Sequence, residues 1–267
     1  MRKTLTILLP VLLLSSGAWA ADLGAMPLAA HRATYALKLS TAKDGGVQAA
    51  TGSMTYAFID ACEGWSTQQR LDMTVTNGDG QDIHMLSDYS TFESKDGLHM
   101  RFRMKQMTDA AVTSDVEGES TLDGPGLKGH ATYVLPKAET LPLAPGTLFP
   151  TAHTEALLAA AVDGKHFLAL PLFDGTSEKG PEYSSIVMGG WSPTSTADTK
   201  RPSLARLPSG KFHIAFFDHG PDSIEPTYEV SMRYFGNGVA DDLLMNFGDF
   251  SMQGTLTEFK LAPASCG

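Results

Sequence analysis

The stretch HRATYALKLS, residues 31–40, puts Ala33, Tyr35, Leu37 and Leu39 on one face of an extended chain and Arg32, Thr34, Lys38 and Ser40 on the other. A period of two marks a strand with one buried face, because successive side chains of an extended backbone point to opposite sides. The alternation recurs at Met54-Tyr56-Phe58, at Leu71-Met73-Val75 and at Leu98-Met100-Phe102-Met104. It returns at Phe212-Ile214-Phe216, at Tyr228-Val230-Met232-Tyr234, and from Phe250-Met252 to Leu256. Between these runs stand turn-forming clusters: Asp44-Gly45-Gly46, Asn77-Gly78-Asp79-Gly80, Asp96-Gly97, Asp123-Gly124-Pro125-Gly126, Ser209-Gly210 and Gly236-Asn237-Gly238. Such spacing predicts a mainly β fold, a long antiparallel meander. Because open edges invite aggregation, the strands are expected to curl into one barrel-like sheet or two packed sheets.

The middle of the chain reads differently. Pro136–Pro150 is too rich in proline for a central strand, since each Pro lacks the N–H that a ladder needs. The one helical pattern follows, FPTAHTEALLAAAVDGK at 149–165, and predicts a helix over about 151–163 with Thr151 as N-cap, Glu155 near its positive end and Gly164 after its last turn. Leu157, Leu158, Ala161 and Val162 form an apolar stripe on it, so the helix is expected to plug or flank the sheet and to join its two halves. Gly189–Pro208 reads as a long loop broken by short extended pieces. No stretch has the composition of a disordered linker, and residues 21–267 read as one domain.

The first twenty residues, MRKTLTILLPVLLLSSGAWA, carry Arg2 and Lys3, an apolar run from Leu5 to Leu14, and Ala18-Trp19-Ala20, the pattern of a cleaved export signal. The run is about ten residues, against the roughly 20 a membrane-spanning helix needs, so stable membrane insertion is not expected. Without Arg2 and Lys3, 18 basic residues face 30 acidic ones, which argues against nucleic acid as a partner. In an oxidising compartment the two cysteines, Cys62 and Cys266, are most simply a disulfide; two free thiols, or a bridge to a partner, are the alternatives.

No G-x-S-x-G, H-E-x-x-H, P-loop or dinucleotide fingerprint occurs. His153 and Glu155 are two apart on the helix and point in different directions, so capping and packing suit them better than proton transfer. His213, Asp218 and His219 lack tight metal-ligand spacing, and no metal or cofactor is expected. His99, Arg101, Arg103 and Lys105 form a basic row on one strand. It could grip an anion, but pairing with Asp115, Glu117 and Glu119 of a neighbouring strand is the better reading. Met54, Met73, Met85, Met100 and Met104 fall in strands of the first half, where flexible thioethers suit either an adaptable cavity or an irregular core.

Several blocks together resemble a known family. Leu28-Ala29-Ala30-His31-Arg32-Ala33-Thr34-Tyr35, Gly52-Ser53-Met54-Thr55-Tyr56, Cys62-Glu63-Gly64-Trp65, Gln69-Arg70, Phe149-Pro150-Thr151-Ala152-His153-Thr154, Pro171-Leu172-Phe173-Asp174-Gly175 and the near-terminal Cys266 resemble the EipB-like cell envelope integrity family. The resemblance implies a periplasmic protein of Gram-negative bacteria, an antiparallel sheet spiralling into an unclosed barrel beside one helix, similar in outline to Lol-type lipoprotein carriers and receptors. It also implies a Cys62–Cys266 disulfide and a part in envelope maintenance and stress resistance without catalysis.

These readings combine into an expectation of a non-enzymatic periplasmic protein that binds a lipid or other amphiphile, or a periplasmic or outer-membrane protein. Met54, Met73, Met100, Phe102, Met104, Leu157, Leu158 and Ala161 are the candidate cavity lining. The competing expectation is a hydrolase or transferase acting on envelope lipid or polymer, with His153, Glu155, Asp218 and His219 as the first residues to test.

Overall fold

The computed structural model describes residues 26–194, 201–218 and 224–263. The expected export signal, Met1–Ala20, and also His219 and Cys266 therefore lie outside the described residues. The strands are β1 (His31–Ala42), β2 (Val47–Asp60), β3 (Gly64–Asn77), β4 (Asp82–Ser94), β5 (His99–Thr108), β6 (Ala111–Leu122), β7 (Gly129–Leu135) and β8 (Glu139–Leu143). Helix α1 (Pro150–Val162) follows, and then β9 (Phe167–Leu172), β10 (Glu182–Ser192), β11 (Ser209–Asp218), β12 (Tyr228–Phe235), β13 (Ala240–Asn246) and β14 (Phe250–Leu261).

These strands form a single antiparallel sheet in the order β8-β7-β6-β5-β4-β3-β2-β1-β14-β13-β12-β11-β10-β9. Every neighbour except one is a hairpin neighbour in sequence. The exception is the seam between β1 and β14, where His31 faces Leu261 and Ala42 faces Phe250. The sheet is not closed: β8 and β9 are its two edges, and α1 is the segment that connects them. The edges meet at one isolated bridge, Leu148 with Leu172, through Leu148 N–H to the Pro171 carbonyl and Phe173 N–H to the Leu148 carbonyl, both 3.0 Å.

Both edge strands contain a proline, Pro142 in β8 and Pro171 in β9. An edge is where a missing N–H does least harm, and it also blunts pairing with another chain. So the Pro-rich segment does hold a strand, but not a central one. Two other expectations need correcting. Gly189–Ser192 continues β10 rather than opening a loop, and Ser209-Gly210 starts β11 rather than forming a turn. In each case pairing between β10 and β11 holds the segment extended, Gly189 facing Lys211 and Ser192 facing Ser209.

Helix α1 begins one residue earlier than the pattern predicts. Phe149 is the N-cap residue, with no side-chain cap of its own, and Pro150 takes the first helical position, where its lack of an N–H costs nothing. Thr151 is therefore not the cap. Its N–H and hydroxyl instead reach the Glu93 carboxylate of β4, at 2.8 and 2.9 Å. At the other end Gly164 adopts φ +74°, and the N–H groups of Gly164 and Lys165 return to the carbonyls of Ala161 and Ala160, a left-handed closure that glycine permits.

The helix lies inside the spiral. Leu157, Leu158, Ala160 and Ala161 are buried in one core cluster with Tyr35, Leu37, Ile186, Phe212, Phe235 and Met252, which come from both halves of the sheet. A second cluster gathers Met100, Phe102, Val116, Tyr133, Phe149 and Phe173 under β5–β8. Val162, the last member of the expected stripe, is only half-buried.

Candidate functional site

Part of the spiral interior is not filled. A hollow of about 1050 Å³ lies among the inward faces of β2–β6, β12 and β13 and the chain between β9 and β10. Thioethers of Met54, Met73, Met85, Met104, Met107 and Met245 line it. It is open to solvent, with Met85 and Val112 36% and 53% exposed at its rim. A smaller chamber of about 270 Å³ reaches deeper, to the first turn of α1, and shares Gln69, Asp174 and Phe216 with the hollow.

Strand β4 runs along both spaces. Its inward residues Met85 and Ser87 face the hollow, Tyr89 and Thr91 face the chamber, and Glu93 ends the row on the helix. The row thus passes from thioether through hydroxyls to a carboxyl. Tyr89 O–H donates to the Asp174 carbonyl at 2.6 Å, fixing the β9–β10 connection against β4. Thr91 Oγ1, on a side chain only 5% exposed, has no hydrogen-bond partner. Gly175 turns this connection with φ +71°, and a Cβ there would fall 2.3 Å from the Phe102 ring. Asp174 is held in place by that close approach.

Burial sets the charge of these acids. Glu93 is pushed up to about 7 by desolvation, against the two hydrogen bonds from Thr151 that favour its ionised form. Asp174 is raised by burial despite the Thr176 N–H and O–H bonds to its Oδ1, both 2.9 Å. Glu182 is pushed up to about 8 by burial and then by the Asp174 and Asp218 charges. Lys179 pairs with Asp218 at 2.5 Å.

Of the candidate lining residues, Met54, Met73 and Met104 reach the hollow. Met100, Phe102, Leu157, Leu158 and Ala161 do not; they are packed into the two core clusters, because the helix and the Phe149 and Phe173 rings fill the space beside them. Glu93, Thr91, Asp174 and Glu182 were not among the candidates. Their signal was polar residues at inward positions of a strand or beside its end, where a hydrophobic pattern looks broken.

The residues considered for catalysis do not converge. His153 is buried, and burial lowers it to about 4, while Glu155 is exposed on another face of α1. His153 Nε2 lies 2.8 Å from Ser184 Oγ, which itself donates to the Leu170 carbonyl at 3.0 Å. Ser184 Oγ thus lies between the imidazole and the Leu170 carbonyl, a packed hydrogen-bonded chain inside the fold. Ser184 is 0% exposed, so its hydroxyl is closed to a substrate. His213 bonds Ser231 and Glu229, at 2.9 and 3.2 Å. Among the described residues no three His, Cys, Asp or Glu side chains gather as a metal would require, and no helix is long and apolar enough to cross a membrane.

The basic row meets acids in register: Arg101 faces Glu119, Arg103 faces Glu117 and Lys105 faces Asp115. Arg103 also pairs with Asp115 at 3.0 Å and with Glu117. These side chains are well exposed, so Arg103→Ala is expected to cost less than about 1 kcal/mol in urea unfolding, and less still in high salt.

The model of the EipB-like family matches residues 22–263. A cell envelope integrity protein, EipB, of Brucella abortus (strain 2308) is 32% identical over 246 residues, covering 89% of this chain and 85% of that protein. The crystal structure of a β-barrel-like protein of a domain of unknown function, also from Brucella abortus, superposes with a TM-score of 0.80 at 31% identity, covering 89% of this chain and all of the other. With its unclosed antiparallel spiral, its inner helix and a match across nearly its whole length, the chain belongs to the EipB-like family.

Proposed function

We propose that this chain is a non-catalytic protein of the Gram-negative periplasm that supports the cell envelope by holding an apolar or amphiphilic ligand in the methionine-lined hollow. The hollow itself carries this reading: about 1050 Å³, open at a rim, and walled by flexible side chains that adapt to an acyl chain. The envelope role rests on kinship with the Brucella protein, named for envelope integrity. The absence of catalysis rests on the burial of Ser184 and His153 and on the separation of His153 from Glu155.

The test is native mass spectrometry with lipid extraction of protein purified from its own periplasm. A bound amphiphile is expected, and it should be lost from a Met85→Trp variant, whose indole would block the rim. Empty protein, together with pull-downs that recover no envelope partner, would end the proposal.

The Cys62–Cys266 disulfide belongs to the same reading. Strands β2 and β14 flank β1 and run in the same direction, with Phe58 and Leu261 both opposite His31. Cys62 lies in the turn just past β2, and Cys266 is five residues past β14, a reach of roughly 17 Å against a lateral separation of about 10 Å. Thiol titration of the denatured, unreduced protein is expected to find no free cysteine; two free thiols per chain would refute the bridge.

A further inference from the structure

The hollow has two unlike walls. One carries the thioethers of β2–β5 and β13. The other, built by the chain between β9 and β10, carries Asp174, Glu178 and Glu182, and Asp115 of β6 also lines the space. Lys179 is the one Lys or Arg lining it among the described residues, and its ammonium is already on Asp218. Among the described residues the inner chamber has no Lys or Arg in its wall. Asp174 is hydrogen-bonded by Thr176, whereas the Glu182 carboxyl accepts no hydrogen bond among the described residues.

We propose that the hollow selects an amphiphile with a cationic, amine-type head, its chain lying on the thioether wall and its head between Asp174 and Glu182. This rests on the ligand-holding reading above and names the class of ligand. An anionic head would find no free Lys or Arg among the described lining residues, and would push carboxyls that already resist ionising further from their charged form. An ammonium supplies the missing partner, because a desolvated carboxyl ionises readily once an opposite charge stands a few ångströms away.

The orphaned Thr91 hydroxyl is a separate observation pointing the same way. It faces the chamber that shares Asp174 with the hollow, two residues along β4 from the Tyr89 that anchors the Asp174 carbonyl. A buried hydroxyl without a partner calls for one, and a polar head entering the chamber would supply it. An ammonium, with three donors, can serve a carboxylate and a hydroxyl together.

Glu182 is pushed up to about 8 and Asp174 is raised, so amine binding is expected to displace protons from these carboxyls. The other titratable groups that face the pair are Asp218, Glu178, Lys179, Asp115, Tyr89, Tyr133 and Tyr228. Asp218 and Lys179 are already paired with each other.

The experiment is isothermal titration of the purified protein at pH 7 with decylammonium, decanoate and 1-decanol, which share one chain length and differ in head charge. Decylammonium is expected to bind at least about ten-fold more tightly than either of the others. Titrations in two buffers of different ionisation heat are expected to report protons released with decylammonium and none with decanol. In the Asp174→Asn, Glu182→Gln double variant, the amine advantage is expected to fall below about three-fold while decanol binding is unchanged. The amides have nearly the shape of the acids they replace, and the unchanged decanol affinity checks that the wall keeps its form. Decanoate binding as tightly as the amine, or an amine preference that survives in the double variant, would overturn the assignment of the head. If decanol also failed to bind, the ligand-holding reading would fall with it.

Discussion

Leu158→Ala is expected to destabilise the protein by about 2–5 kcal/mol and to lower its melting temperature by roughly 5–15 °C. Leu157 and Leu158 are 0% and 1% exposed, and their side chains pack among residues of both sheet halves. Truncation there removes apolar contact and leaves a cavity that a sheet held by hydrogen bonds on every strand cannot easily close. Leu157→Ala is expected to behave alike. Glu155→Ala, on the exposed face of the same helix, should change stability by less than about 0.5 kcal/mol. Urea unfolding of the three variants separates a helix that is part of the core from one that merely lies on it. A loss below about 1 kcal/mol for both leucines would place α1 outside the cooperative unit.

Glu93→Ala is expected to cost about 1–3 kcal/mol, because the Thr151 N–H and hydroxyl lose their only partner in a buried place. The loss should depend on pH with a definite sign. The folded protein keeps a proton on Glu93 up to about 7, whereas the unfolded chain releases it near the ordinary value of 4.5. Between those limits the folded state binds more protons, so the stability contributed by Glu93 falls as pH rises and is level above about 7. The size of that fall is about 3 kcal/mol. His153 works in the opposite direction: lowered to about 4 from 6.5, it adds stability as pH rises across that window. The whole-protein pH profile therefore mixes these two with other buried groups, Glu182 and Asp174 among them. The difference between the wild type and Glu93→Gln isolates the carboxyl, since His153 is common to both. The wild type's advantage over the glutamine variant is expected to shrink from pH 4.5 to 7.5 in parallel urea titrations. An advantage that grows over this range would mean that Glu93 is ionised in the folded protein.

How far residues announce their place depends on which face carries the pattern. Strand β1 is legible because Ala33, Tyr35 and Leu37 point into a packed core while Arg32 and Lys38 meet water. Strand β4 is as long, but its inward row contains Ser87, Tyr89, Thr91 and Glu93, since it faces an open space and a helix end rather than a filled core. The alternation is there in geometry and hidden in chemistry. Strands β8 and β9 are masked by Pro142 and Pro171, which edges tolerate. Met54, Met73 and Met104 could be named in advance as lining, but not distinguished from Met100, whose surroundings are set by the Phe149 and Phe173 rings far away in sequence. The acid wall of the hollow needs both halves of the sheet, so no local stretch encodes it.

The seam between β1 and β14 bears on how the chain folds. All other ladders are hairpins that form between sequence neighbours, whereas this one joins His31 to Leu261. Closing so long a loop is entropically costly and sets a slow step, since its reward comes only after the ends meet. Two arrays of hairpins, β1 outward to β8 and β14 back to β9, are expected to zip early, with their meeting across the seam as the late event. The chain cannot complete its sheet until β14 is free to fold against β1. A protein truncated before β14 is therefore expected to remain two unjoined curls around an uncovered helix, the form most exposed to proteolysis and self-association.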